Sequence, residues 1–255
     1  MRVLALDTTT AAGSVAIVDD SGVLIEEIGD PARSHAERLP GDILRAIERS
    51  GIAVGFIDLY AIAAGPGTFT GLRIGIATIQ GLAFVNGKRV VPVSALTALA
   101  VAASREEPPA RVIGAWMDAH RRDVFSALYR KTDRPAFDPD GLIEIEGGAV
   151  GDPATTLRRW ESAGAAPDVL VGDGAIVFAA SIPTQISTLG QVPLAGVIGQ
   201  IAMARALRGE TVDPAGVQPL YIRRPDAEIA RDAAHHSVVQ ATDNPEPGHG
   251  LRSKA

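Results

Sequence analysis

Two short turns carry the residues of this chain best suited to chemistry. Asp7-Thr8-Thr9-Thr10 closes the apolar run Val3-Leu4-Ala5-Leu6, and Asp118-Ala119-His120 closes a second run, Val112-Ile113-Gly114-Ala115-Trp116-Met117. A carboxylate followed by hydroxyls and backbone amides at a strand end can hold a phosphate and its Mg²⁺. Successive N–H groups make an anion-binding concavity, and the hard cation takes oxygen ligands. The same residues also make an ordinary polar turn in which Asp and Thr satisfy neighbouring backbone groups. Both readings stand at this point. A phosphotransferase of this kind further needs a second phosphate loop and a glycine-rich loop for the adenosine. Asp118-Ala119-His120 and Gly172-Asp173-Gly174 hold those places but are thin in glycine, so a nucleotide site at Asp7, Thr8 and Thr9 reads as degenerate.

Other constellations are missing from the sequence. Gly65-Pro66-Gly67-Thr68-Phe69-Thr70-Gly71 lacks the Gly-Lys-Ser/Thr of a Walker A loop and the serine of a nucleophile elbow. It reads as a sharp turn that brings the following helix close to its neighbours. The five histidines, His35, His120, His235, His236 and His249, show no metal-binding spacing. With zero cysteines, disulfides, thiolate metal sites and a cysteine nucleophile are excluded. No catalytic residue and no metal ligand is assigned.

Of 255 residues, 46% are apolar and 21% charged, a composition that supports a core without staples and fits one large domain or two lobes. The formal charge is −6, from 24 Lys+Arg against 30 Asp+Glu. Independent nucleic-acid binding normally shows a basic face. The pairs Arg121-Arg122, Arg158-Arg159 and Arg223-Arg224 mostly have acidic residues near them. The first apolar run is too short for a signal peptide. The most apolar long stretch, residues 74–85, is interrupted by Thr78, Gln80 and Gly81 and is too short to span a bilayer. The expectation is a cytoplasmic protein without membrane association.

The elements that must position these turns alternate regularly. Residues 3–6, 14–18 and 23–25 read as a three-strand meander. A helix begins at Ser34, where Glu37 completes a capping box, and carries Ala36, Leu39, Ile43, Leu44 and Ile47 at helical spacing with Pro40 inside it. A strand at 59–64, a helix to about 84, a strand at 90–93 and a helix capped by Ser94 follow. Strands at 112–119 and 124–129, a helix at 154–163, a strand at 169–171, a short helix opened at 172–174, a strand at 184–189 and a helix at 194–208 repeat the theme. Two copies of a ribonuclease-H-like half-unit imply an α/β protein with the two related lobes of the actin-like ATPase fold. The first lobe spans 1–105 and the second 106–224, with the last helix expected to pack back on the first lobe. Residues 225–255 read as a disordered tail.

The helix after the glycine turn is apolar on nearly all sides. Leu72, Ile76, Ile79 and Ala83 form one stripe, Gly71, Gly75, Thr78 and Leu82 another, and Ile74, Gly81 and Val85 a third edge; Arg73 and Gln80 are its long polar side chains. Such a helix must be buried on more than one side. Either its own lobe encloses it, or the glycine-lined side meets another chain. Each helical glycine costs roughly 1 kcal/mol of propensity, which close backbone approach would offset.

At these residues the chain resembles the bacterial TsaB (YeaZ) family, part of the machinery that makes threonylcarbamoyladenosine on tRNA. The likeness is carried by Leu4-Ala5-Leu6-Asp7-Thr8-Thr9, by Ser34-His35-Ala36-Glu37-Arg38-Leu39-Pro40 and, most specifically, by Gly65-Pro66-Gly67-Thr68-Phe69-Thr70-Gly71-Leu72-Arg73-Ile74-Gly75. It covers about residues 1–224. The resemblance implies a non-catalytic scaffold subunit of the complex that transfers a threonylcarbamoyl group to a tRNA adenosine (t6A). It implies a TsaD-like catalytic partner, a TsaE-like ATPase, a homodimer in their absence, and tRNA reached only through the complex. The catalytic relative holds a metal through a His-x-x-x-His pair. Here that place reads Val93-Ser94-Ala95-Leu96-Thr97, so ATP and metal are expected in the partner subunits and no cofactor is expected to bind tightly to this chain.

In the family, helices matching 34–49 and 70–84 mediate self-pairing and pairing with the catalytic subunit. That implies Leu39, Ile43, Ile47, Gly71, Leu72, Arg73, Gly75, Ile76, Ile79 and Gln80 as partner-binding residues, with Arg73 and Gln80 supplying the polar contacts. His120, where the family usually has Arg, and the tail beyond Pro225 depart from its pattern. The alternative is a small-molecule kinase of the same fold, with Asp7 and Asp118 around MgATP. A peptidase, suggested by older names for relatives, lacks any metal or nucleophile constellation.

Overall fold

The structure, a computed structural model, describes residues 1–223. The tail read at 225–255, with His235, His236 and His249, lies outside the described residues. The chain begins with an antiparallel meander of β1 (Val3–Asp7), β2 (Ser14–Asp19) and β3 (Gly22–Ile28). Then follow α1 (His35–Ser50), β4 (Leu59–Gly65), α2 (Phe69–Val85), β5 (Arg89–Ser94) and α3 (Ala95–Glu106). The first sheet runs β3-β2-β1-β4-β5, with β1, β4 and β5 parallel. The second half comprises β6 (Val112–Asp118), β7 (Val124–Lys131), β8 (Leu142–Gly151), α4 (Pro153–Ser162), β9 (Val169–Val171), α5 (Asp173–Val177), β10 (Ser187–Leu189) and α6 (Ala195–Leu207). Its sheet, β10-β9-β6-β7-β8, repeats the first one strand for strand. This is the two-lobed, ribonuclease-H-like architecture of the actin-like ATPases.

Alternation along the strands sets the layers, since successive side chains point to opposite faces. On β1, Leu4 and Leu6 join Val15, Ile17, Tyr60 and Ile62 in a core beneath α1 and α2. Val3 and Ala5 face the other way, into a second core shared with α3, α6 and the inner face of β6. The inner positions are small: Ala5, Ala16, Ala61 and Ala63 on the sheet, and a run of alanines on α3. Gly199 of α6 shows why, because a Cβ there would lie 2.6 Å from Val18 and 3.4 Å from Ala5. Trp116, Trp160 and Leu170 fill a third core on the outer face of the second sheet.

No element is expected from the sequence at 142–151, where the structure has β8. Ile143-Glu144-Ile145-Glu146 alternates at the strand period, but Gly147 and Gly148 dilute the pattern. The strand is at the sheet's edge, and its pairing with β7 shifts register twice. The capping box at Ser34 is formed: the Glu37 carboxylate accepts from Ser34 N at 3.0 Å and from its hydroxyl at 2.9 Å. Pro40 sits inside α1 without ending it. Among the described residues, no helix is long and apolar enough to cross a membrane.

Candidate functional site

The first turn is positioned by β1, which delivers Asp7 at its buried end. The Asp7 carboxylate accepts from Thr9 N at 2.9 Å and from Thr9 Oγ1 at 2.6 Å. Burial pushes the Asp7 carboxyl above the usual carboxylate range, against the pull of these two bonds. Asp7 lines a cavity of about 200 Å³ with Thr10, Gly13, Ile28 and the segment Gln191-Val192-Pro193 from the second half of the chain. Gln191 Nε2 donates to Thr10 Oγ1 at 2.9 Å across it.

Thr8 and Thr9, expected as part of a degenerate nucleotide site, do not line this cavity. Both are buried. Thr8 Oγ1 lies against Gly75, where a Cβ would come within 2.1 Å, and has no hydrogen-bond partner among the described residues. Gly67 covers Thr9, with a Cβ there 2.7 Å from Thr9 Cα. The Thr9 amide and hydroxyl are both committed to Asp7. What this turn leaves on the cavity is Asp7 and Thr10.

The other side of the turn is sealed by α1, through His35, Arg38 and Asp42, none of which was expected in the site. His35 Nε2 bonds Thr10 O at 2.9 Å. A carbonyl only accepts, so Nε2 carries the proton and Nδ1 is left to accept from Arg38 Nη2 at 3.0 Å. Arg38, itself buried, also donates to Ala11 O at 3.1 Å and to Ala12 O. Its Nη1 pairs with the buried Asp42 carboxylate at 2.6 Å, while Nε has no partner among the described residues. A buried guanidinium is tolerable only with such a set of acceptors, and breaking a buried pair of this kind costs about 3–5 kcal/mol. The signal was present in the sequence: His35, Arg38 and Asp42 share helical spacing with Leu39, Ile43 and Ala46, so three polar residues lie on the buried face. Ala36 and Leu44, read into the apolar stripe, are exposed.

The second turn is tied to its own lobe in the same way. The Asp173 carboxylate accepts from Asp118 N at 3.0 Å, and Asp118 in turn accepts from His120 N at 2.8 Å. Gly172 has φ +115°, and a Cβ there would lie 2.1 Å from Trp116 O. Its glycine serves close packing on β6. His120, Arg121 and Arg122 follow in three successive left-handed conformations, φ 56°, 55° and 68°.

The residues expected to bind a partner fall mostly inside the chain. Leu39, Ile43, Ile76 and Ile79 are buried in the core beneath α1 and α2, Ile47 is partly buried against it, and Leu72 is buried as well. The glycine-lined side of α2 faces inward: Gly71 meets Thr8 O and His35, and Gly75 meets Thr8. It meets the first turn of its own chain, contrary to the expectation of a neighbouring subunit. Arg73 donates to Tyr221 OH at 3.2 Å and lies 3.8 Å over the Phe69 ring, while Gln80 Nε2 donates to Val217 O at 3.3 Å. These two polar side chains pin residues 217–221 along α2. The surface left open on α2 carries Ile74, Ala77, Gly81, Phe84 and Val85, beside exposed Pro40 and Leu44 of the adjoining α1.

Fold and site together define a class: a two-lobed actin-like protein whose first β-hairpin turn is closed by its own helices. A family model described as "TsaD: tRNA N6-adenosine threonylcarbamoyltransferase" matches residues 27–140. The tRNA threonylcarbamoyladenosine biosynthesis protein TsaB of Haemophilus influenzae is 31% identical over 229 residues, covering 88% of this chain and 94% of that one. An uncharacterised Mycobacterium leprae protein is 32% identical over 232 residues, covering 89% of this chain, which spans 56% of that protein's length. The solved structure of YeaZ from Pseudomonas aeruginosa superposes with a TM-score of 0.72 at 30% identity, covering 86% of this chain and 99% of that one. The chain belongs to the TsaB (YeaZ) family, whose named members are proteins of tRNA threonylcarbamoyladenosine biosynthesis.

Proposed function

We propose that this chain is a non-catalytic subunit of the complex that transfers a threonylcarbamoyl group to a tRNA adenosine, and that it docks a TsaD-like catalytic subunit through the outward face of α1 and α2. The observation that carries the reading is apolar exposure. Phe84 is 79% exposed, Val85 82% and Leu44 59%. Burying each such side chain would contribute roughly 1.5–3 kcal/mol, and Ala77 and Gly81 between them allow close approach of another helix. The same face would support self-pairing when the catalytic subunit is absent. ATP, its metal and a TsaE-like ATPase belong to the partners in this reading, tRNA is reached through the complex, and the setting is the cytoplasm. The kinase alternative is not favoured, because the hydroxyls of Thr8 and Thr9 are covered.

Ala77→Glu and Phe84→Asp test the docking face. Each is expected to abolish co-purification with the TsaD-like subunit and modification of tRNA in a reconstituted reaction, while leaving the melting temperature of the isolated chain unchanged. Recovery of both variants with the partner at the wild-type ratio would remove the support for this face.

A further inference from the structure

A second cavity, of about 180 Å³, lies away from both turns and from the α1–α2 face. Its walls come from four elements and one loop: Thr97 and Val101 of α3, Ile201 and Arg205 of α6, Tyr129 of β7, Leu142 and Glu144 of β8, and Ala136 to Pro139 between the last two strands. It is small beside the roughly 300–1,000 Å³ of pockets for drug-sized ligands, so a ligand of few heavy atoms is the fit. Val101, Ile201, Leu142 and Phe137 make an apolar wall. The Tyr129 and Thr97 hydroxyls, 3.0 Å apart and bonded to each other, make a polar one.

The charges are the informative part. Among the described residues the Arg205 side chain makes one hydrogen bond, from Nη1 to Pro92 O at 3.3 Å, which leaves most of its planar fork of donors uncommitted. Glu144 makes no ion pair among the described residues, and Arg205 and Glu144, unlike in sign and lining one space, do not pair with each other. Both charges nevertheless reach the buried Tyr129 phenol: burial pushes it up to about 12, Glu144 adds to the rise and Arg205 opposes it. The phenol is therefore a neutral hydroxyl at physiological pH. The third charged wall residue, Asp138, is already bound by Arg134 and Arg208. A cation and an anion that form no ion pair among the described residues and line one small, partly apolar space are complementary to a zwitterion.

We propose that this cavity binds a free α-amino acid with a small apolar or hydroxylated side chain. Its carboxylate is taken by the Arg205 fork and its ammonium by Glu144. The side chain lies against Val101, Leu142 and Ile201, within reach of the Thr97 and Tyr129 hydroxyls. The site is independent of the docking face.

The test is a titration of the full chain followed by NMR, reading resonances of Tyr129 and Phe137, with L-valine and two analogues that each lack one charge. Isovalerate keeps the carboxylate and isobutylamine keeps the amine. Saturable shifts are expected for L-valine at millimolar concentration or below, with binding weakened at least about tenfold for each analogue and for Arg205→Gln and Glu144→Gln. Both substitutions are at half-buried or exposed positions, and circular dichroism checks that the variants keep the fold. No shift with L-valine, or equal binding by the analogues, or unchanged binding in both variants, would overturn the proposal in favour of a water-filled gap.

Discussion

Asp7 is a charge held where charge is disfavoured. A carboxyl whose folded pKa stands above its unfolded value binds its proton more readily in the native state. Its stabilising contribution is then complete below the unfolded value, 3.8 for Asp, and is lost as pH rises through the raised one. At neutral pH the group weakens the fold. Asp7→Asn keeps an acceptor for the two Thr9 bonds and removes the charge, so it is expected to raise the melting temperature at pH 7 and to flatten its rise on mild acidification. His35 works in the opposite direction, because burial lowers its pKa from 6.5. The stability it contributes when neutral is lost as pH falls from that value through the lowered one. Thermal unfolding of wild type and Asp7→Asn between about pH 4 and pH 8 separates the two slopes. A lower melting temperature for the variant at neutral pH would show that the carboxylate is needed as an anion.

In α2, the glycines divide by the side they face. Gly75 meets Thr8 so closely that a Cβ would lie 2.1 Å from its hydroxyl, whereas Gly81 has nothing within 4 Å. Gly75→Val should therefore lower stability by about 1–3 kcal/mol through overpacking. Gly81→Ala should raise it by up to about 1 kcal/mol, the helix-propensity difference. The midpoints of urea unfolding measure both, and similar shifts for the two would mean that the inward face is looser than the structure has it. The helix itself was legible from its apolar run. Which glycine side turned inward was not, because a helix apolar all round gives no direction, and the choice depends on the β1 turn that Gly71 and Gly75 meet.

Across the whole molecule, the two lobes are built to share helices. The last helix, α6, packs on the strands of the first sheet, and α3, which closes the first half of the sequence, packs on β6, β7 and β9 of the second. Glu26 of β3 accepts from Gly196 N at 3.0 Å and Ser14 Oγ accepts from Ala195 N at 3.0 Å, fixing the start of α6 against the first sheet. Neither half has a complete core alone. Residues 1–105 expressed by themselves are expected to lack a cooperative unfolding transition, while residues 1–223 unfold in one. A sharp transition from the shorter fragment, seen by calorimetry, would contradict this sharing.

Periodicity and turn chemistry determined the order of elements apart from β8, the repeat of a half-unit and thus the two-lobed fold, since strand and helix periods are local properties of the chain. The family was legible in the glycine turn and the helix after it. What only the tertiary structure decided was which sides of those helices are spent. Helical spacing puts Arg38 and His35 on the buried face of α1, but nothing local says that the carbonyls of residues 10–12 will meet them there. Nor does Thr8-Thr9 show that Gly67 and Gly75 will close over it. Those outcomes rest on contacts between residues far apart in the chain, where the cost of burying a polar group is set by the partner that meets it.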